Sequence, residues 1–102
     1  MRNETIEMIQ QFRKARKWDE YGDLKDLAIS LSLEAGEFLE LFQWQTSEES
    51  EKNTERLKEE LADVLIYAYA LANQLNFNVD DIVTEKLAKN ALKYPIEDWS
   101  KK

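Results

Sequence analysis

Apolar residues recur at helical spacing in four stretches of the chain. Ile6, Ile9, Phe12 and Ala15 mark the first, from about Glu4 to Lys17. The segment Trp18 to Gly22 interrupts it. Asp23, with Asp26 three residues on, opens a second helix from Leu24 to about Trp44, whose apolar stripe is Leu24, Leu27, Leu31, Ala35, Phe38 and Phe42. The polar run 45–51 (QTSEESE) is the expected connection to a third helix, Lys52 to Leu75, striped by Leu57, Leu61, Val64, Leu65, Ala68 and Leu71. Asn78 caps a fourth, Val79 to Lys93, which Tyr94-Pro95 stops. Residues 95–102 read as a loose extension, with Trp99 to pin it.

None of these helices is long enough to persist alone in water, so packing must hold them. The expected fold is all-α, a four-helix bundle protomer in one domain spanning residues 1–102. Two Gly and one Pro in 102 residues leave little material for the corners of a strand-rich fold. From Leu61 to Ala72 (LADVLIYAYALA) Asp63 is the sole charge, so the third helix needs cover on every side. A homo-oligomer, dimer or tetramer, is the expected way to supply that cover.

Charge and composition narrow the chemistry. Fourteen basic against twenty-one acidic residues give a formal net charge of −7, which disfavours duplex nucleic acid and anionic membrane as partners. The longest apolar run, Val64 to Ala72, is nine residues, well short of the roughly 20 that a membrane span needs. The first twenty residues are charged and lack a signal-type hydrophobic segment, so the expected location is cytoplasmic. Absence of Cys and His removes disulfides, the usual zinc sites and His-dependent nucleophiles. Any metal must then be held by oxygen, as Mg²⁺, Mn²⁺ or Ca²⁺ are.

Four acids fall beside the apolar stripes. At ~100° per residue, Glu34 and Glu37 flank one side of the second helix's stripe, and Glu60 and Asp63 flank one side of the third's. In an antiparallel hairpin turning near residue 48, Glu34 is level with Asp63, and Glu37 with Glu60. No Lys or Arg lies between Lys25 and Lys52, or from Glu59 to Glu85. Four converging carboxylates without local bases need raised pKa values or a cation, and one or two Mg²⁺ ions suit them. Gly36, mid-helix between two of the acids, suggests close approach by a ligand or another backbone.

These segments resemble the all-α nucleoside triphosphate pyrophosphohydrolases of the MazG-like superfamily, and within it the dCTP-pyrophosphatase-like branch. The resemblance runs from about Phe12 to Pro95. It rests on E-x-x-E at Glu34 to Glu37, then 22 residues, then E-x-x-D at Glu60 to Asp63. FRKARKW (12–18), LSLEAGEFLELFQW (31–44), ELADVLIYAYAL (60–71) and KLAKNALKYP (86–95) carry the rest. The resemblance implies Mg²⁺-dependent hydrolysis (Mn²⁺ as a substitute) of a (d)NTP, dCTP-like or modified, to (d)NMP and pyrophosphate, as a nucleotide-pool housekeeping activity. It implies Glu34, Glu37, Glu60 and Asp63 as metal ligands, with Glu34 or Glu37 as general base. Lys86, Asn90 and Lys93 become candidates for phosphate or sugar. Tyr67 joins them for the sugar, Trp18 and Trp44 for stacking on the base, and Phe12 for completing the base pocket. The chain departs from dCTP-selective relatives at Gly22-Asp23, where a His-Asn pair is expected, and at Asp26, where Asn is expected, so selectivity for cytosine does not carry over.

Two other readings compete. A phosphoribosyl-ATP pyrophosphohydrolase shares the fold, and a non-catalytic helical module would use the apolar third helix for assembly alone. A ferritin-like di-iron bundle is excluded because its E-x-x-H pairs require histidine.

Overall fold

The computed structural model describes residues 3–19 and 23–96. Five helices lie within them: α1 (Asn3–Ala15), α2 (Leu24–Glu40), α3 (Ser47–Glu51), α4 (Thr54–Gln74) and α5 (Val79–Lys93). No strand occurs among the described residues. The four expected helices are present, and α3 is an addition within the polar connection. There Thr46 Oγ1 accepts from the Glu49 amide at 3.2 Å and so caps a single extra turn. Gly22 and Trp99, to which the sequence assigned a chain break and an anchor, lie outside the described residues.

The helix starts follow their caps. The Asp23 carboxylate accepts from the Asp26 amide at 3.0 Å, and Asp26 returns the bond to the Asp23 amide at 3.3 Å, a reciprocal box. Asn78 Oδ1 accepts from the Asp81 amide at 3.0 Å.

The helix ends are set by turns that the apolar pattern does not show. α1 stops at Ala15 rather than Lys17 because Lys17 takes a left-handed backbone (φ 58), letting the Trp18 amide reach the Arg13 carbonyl at 2.9 Å. Asn76 (φ 58) ends α4 in the same way, with the Phe77 amide on the Ala72 carbonyl at 2.8 Å. α2 ends at Glu40, four residues before Trp44. Past Glu40 the chain tightens to i→i−3 bonds, Leu41 to Phe38, Phe42 to Leu39 and Gln43 to Glu40, and Trp44 takes a left-handed backbone (φ 60), while Ser50 Oγ donates to the Leu41 carbonyl at 3.0 Å.

α2 and α4 form the antiparallel pair at the centre of the fold. Glu34 shares a cleft with Ala62 and Asp63, whereas Glu40 and Leu41 share another with Arg56, so the two helices run past each other in opposite directions. α1 leans on the far half of α4, where Gln10 Nε2 donates to Asn73 Oδ1 at 2.6 Å. α5 stands off from the others beyond a touch.

The core is thin. Among the described residues only Leu27, Ala70 and Ala72 are buried apolar side chains, and Ser50 is the sole buried polar one. Leu61, Leu65 and Ile66 on α4 keep 46%, 43% and 38% of their surface exposed, and Leu92 on α5 keeps 85%. The radius of gyration is 17.0 Å, against about 13 Å for a compact chain of about 100 residues. No helix among the described residues is long and apolar enough to cross a membrane.

Candidate metal centre

The pairing of α2 with α4 brings carboxylates together. One oxygen each from Glu34, Glu37 and Glu60 lie within 4.8 Å of one another. Glu34 and Glu37 project from one face of α2 because they are three residues apart, and Glu60 meets them from the facing turn of α4. Asp63 stands outside this trio. It borders the neighbouring cleft beside Glu34, near enough for its charge to act on that residue.

The interior of the cluster is electrostatically unfavourable as it stands. Oε2 of Glu34 and Oε2 of Glu60 are buried and have no hydrogen-bond partner among the described residues. Burial, a hydrogen bond with the Glu37 carboxyl, and the charges of Glu37, Asp63 and Glu60 together raise the pKa of Glu34 above its ordinary 4.5. Buried oxygen acceptors without donors, gathered with a third carboxylate, are the donor set that a hard divalent cation takes.

One base does reach the cluster, from outside the two base-free stretches 26–51 and 59–85. The Arg56 guanidinium Nη2 lies 3.5 Å from Glu60 Oε1. Its signal in the sequence was the i, i+4 Arg-Glu spacing, with Arg56 three positions before the second base-free stretch begins.

Beside the carboxylates, α1 and α4 enclose a half-open cleft of about 620 Å³ whose walls are mostly apolar. Phe12, Trp18 and Tyr67 line it together with Ile9, Ile66 and Tyr69, and Glu34 and Asp63 form its acidic wall. Phe12 and Trp18 meet edge to face at 5.7 Å, and the Arg16 guanidinium sits 3.5 Å above the Phe12 ring. One face of Phe12 is therefore already covered. Arg13, Thr5 and Tyr69 also border the cleft and were not singled out from the sequence. The available signal was helical spacing, with Phe12 and Arg13 lying i+3 and i+4 from Ile9 on α1.

The remaining sequence candidates lie elsewhere. Trp44 is 95% exposed, has a left-handed backbone (φ 60), and does not line this cleft. Lys86, Asn90 and Lys93 are on α5, which contributes nothing to its walls. Lys93 instead lies 5.4 Å from the Tyr94 ring. Gly36 faces open space, since a Cβ built there meets nothing within 4 Å. The close approach expected at this glycine is not made among the described residues.

Comparison with known proteins places this geometry. Residues 29–102 match the MazG-like family. The chain is 35% identical to dCTP pyrophosphatase 1 of Bos taurus over 92 residues, which cover 84% of this chain and 54% of the relative. It is 36% identical to the Homo sapiens protein of the same name over 91 residues, covering 83% of this chain and 54% of that one. The chain thus spans about half the length of these relatives. The crystal structure of a pyrophosphatase from Archaeoglobus fulgidus superposes with a TM-score of 0.79 at 40% identity, covering 90% of both chains. With a family match over most of its length, relatives above 30% identity and an all-helical architecture in common, this chain belongs to the MazG-like family, on its dCTP-pyrophosphatase-like branch.

Proposed function

We propose that the protein is a Mg²⁺-dependent nucleotide pyrophosphohydrolase that cleaves a (d)NTP, dCTP-like or base-modified, to (d)NMP and pyrophosphate. The observation that carries this reading is the trio Glu34, Glu37 and Glu60, with two buried and unpartnered oxygens, set against a cleft lined by aromatic rings. Names of the relatives point the same way: dCTP pyrophosphatase in two mammals and pyrophosphatase in an archaeon.

Glu34, Glu37 and Glu60 would hold the cation, with Asp63 as the further ligand at the cleft wall. A bound Mg²⁺ or Mn²⁺ supplies charge neutralisation for the phosphates and acidifies coordinated water. Without it a triphosphate and a body of net charge −7 repel each other. One carboxylate that the metal leaves unsaturated, Glu34 or Glu37, would act as general base toward the attacking water. Trp18 and Tyr67 offer the base and sugar apolar faces, each stacked ring contributing about 1–3 kcal/mol. Lys86, Asn90 and Lys93 serve the phosphates only if α5, from this protomer or another, comes over the cleft.

The assembly we propose is a homodimer or homotetramer. The exposed apolar side chains of α4 and α5 and the expanded radius of gyration support it. Soluble nucleotides are the proposed partners, in the cytoplasm.

Pyrophosphate release from a panel of canonical and base-modified dNTPs and of phosphoribosyl-ATP, with Mg²⁺ or Mn²⁺, tests the activity. Turnover confined to phosphoribosyl-ATP would transfer the chain to the rival enzyme class. No turnover with either metal would leave the non-catalytic assembly module as the surviving reading.

A further inference from the structure

Arg56 sits on the outer side of the carboxylate cluster, in a polar cleft that it shares with Glu37, Glu40, Leu41, Gln43 and Glu60. It is the sole cation among the residues lining that cleft. Its pair with Glu60 differs from the other pair on the same helix. Lys58 and Glu55 are 70% and 82% exposed, an ordinary solvated contact. Arg56 is 57% exposed but Glu60 only 15%, so the guanidinium stands at the mouth and the carboxylate behind it.

The two oxygens of Glu60 consequently have different fates. Oε1 faces Arg56 at 3.5 Å, whereas Oε2 is buried, has no hydrogen-bond partner among the described residues, and belongs to a residue of the Glu34–Glu37–Glu60 trio. We infer that Arg56 is a positioning residue: by holding Oε1 outward it presents Glu60 to a cation through one oxygen only. This inference rests on the metal reading given above.

The consequence is selectivity for ion size. Mg²⁺ and Mn²⁺ are small octahedral ions that take carboxylates one oxygen at a time. Ca²⁺ accepts 6–8 oxygens and readily takes a carboxylate by both. A Glu60 tethered through Oε1 suits the first kind of ion and handicaps the second. Partners of metal ligands characteristically alter affinity by about 10–100-fold when removed.

The test is calorimetric titration of Mg²⁺ and of Ca²⁺ alone, without nucleotide, into wild type, Arg56→Ala and Arg56→Lys, with each variant's melting temperature measured alongside. Arg56→Ala should raise the ratio of Ca²⁺ to Mg²⁺ affinity about tenfold. Arg56→Lys, which keeps a cation at the mouth, should restore the ratio to within about twofold of wild type. Equal gains for both ions in the alanine variant would show that Arg56 acts only as a charge through space, and would overturn the inference while leaving the metal site intact. A lysine variant with the alanine variant's ratio would overturn it as well. Wild type that binds neither ion would overturn the metal reading and this inference together.

Discussion

Glu34 on α2 and Glu60 on α4 each turn one carboxylate oxygen, Oε2, into the protein where nothing among the described residues donates to it. Two anionic oxygens left bare at a helix interface weaken the fold unless a proton or a cation compensates them. The first predictions follow from that relationship.

Divalent metal should stabilise the folded protein. A ligand at 100 times its dissociation constant contributes about 2.7 kcal/mol, and each kcal/mol moves the melting point of a chain this size by about 4–8 °C. Thermal unfolding in saturating Mg²⁺ should therefore rise by about 10 °C or more over the metal-free protein. Glu60→Gln and Glu37→Gln should each abolish most of that rise. A melting point indifferent to Mg²⁺ in wild type would count against the site.

The pH dependence has a defined sign. Burial foremost, then Glu37, Asp63 and Glu60, raises the Glu34 pKa above 4.5, so between 4.5 and the raised value the folded chain holds a proton that the unfolded chain has released. Through this group, metal-free stability falls as pH rises across that window and levels off above it. Glu34→Gln should remove this decline in urea titrations taken at successive pH values. Cation binding to the same carboxylates should strengthen with pH over the same window, because the proton must leave first.

Ser50 should matter more than its size suggests. Its hydroxyl is fully buried, 3.0 Å from the Leu41 carbonyl and 3.3 Å from Gln45 Oε1. One hydroxyl proton serves one acceptor, and the shorter contact is the Leu41 carbonyl, just past the end of α2. Ser50→Ala should cost about 1–3 kcal/mol by leaving that acceptor unpaired, measured by chemical denaturation. A loss within experimental error would mean the turn is held by other contacts.

Gly36 should tolerate alanine. Nothing lies within 4 Å of a Cβ placed there, and glycine inside a helix costs about 1 kcal/mol relative to alanine. Gly36→Ala should raise stability by about 0.5–1 kcal/mol. A fall instead would reveal that a second chain or a ligand packs against this turn.

The elements that were legible from sequence are those governed by neighbours along the chain. Helical spacing, the Asp23–Asp26 box and the Asn78 cap are local, so α2 and α5 begin where the residues say they should. The two acidic pairs were legible for a related reason. Three-residue spacing puts each pair on one face, and an antiparallel hairpin puts residues equidistant from its turn at the same level. The end of α2 was not legible, because the apolar run through Phe42 and Trp44 continues the helical pattern while the backbone tightens to i→i−3 bonds after Glu40 and turns left-handed at Trp44.

By itself, then, the sequence determined the class of fold, the placing of its helices and the acids that flank their apolar stripes, since each depends on periodicity and on contacts a few residues apart. Tertiary structure decided which acids close into a trio and which stands aside, and which of their oxygens lose their water. It also left α4 partly bare and α5 standing off. Those outcomes depend on how far apart two helices settle and how each side chain turns in the gap, and distances of an ångström between residues twenty or more positions apart are not encoded in spacing along one helix.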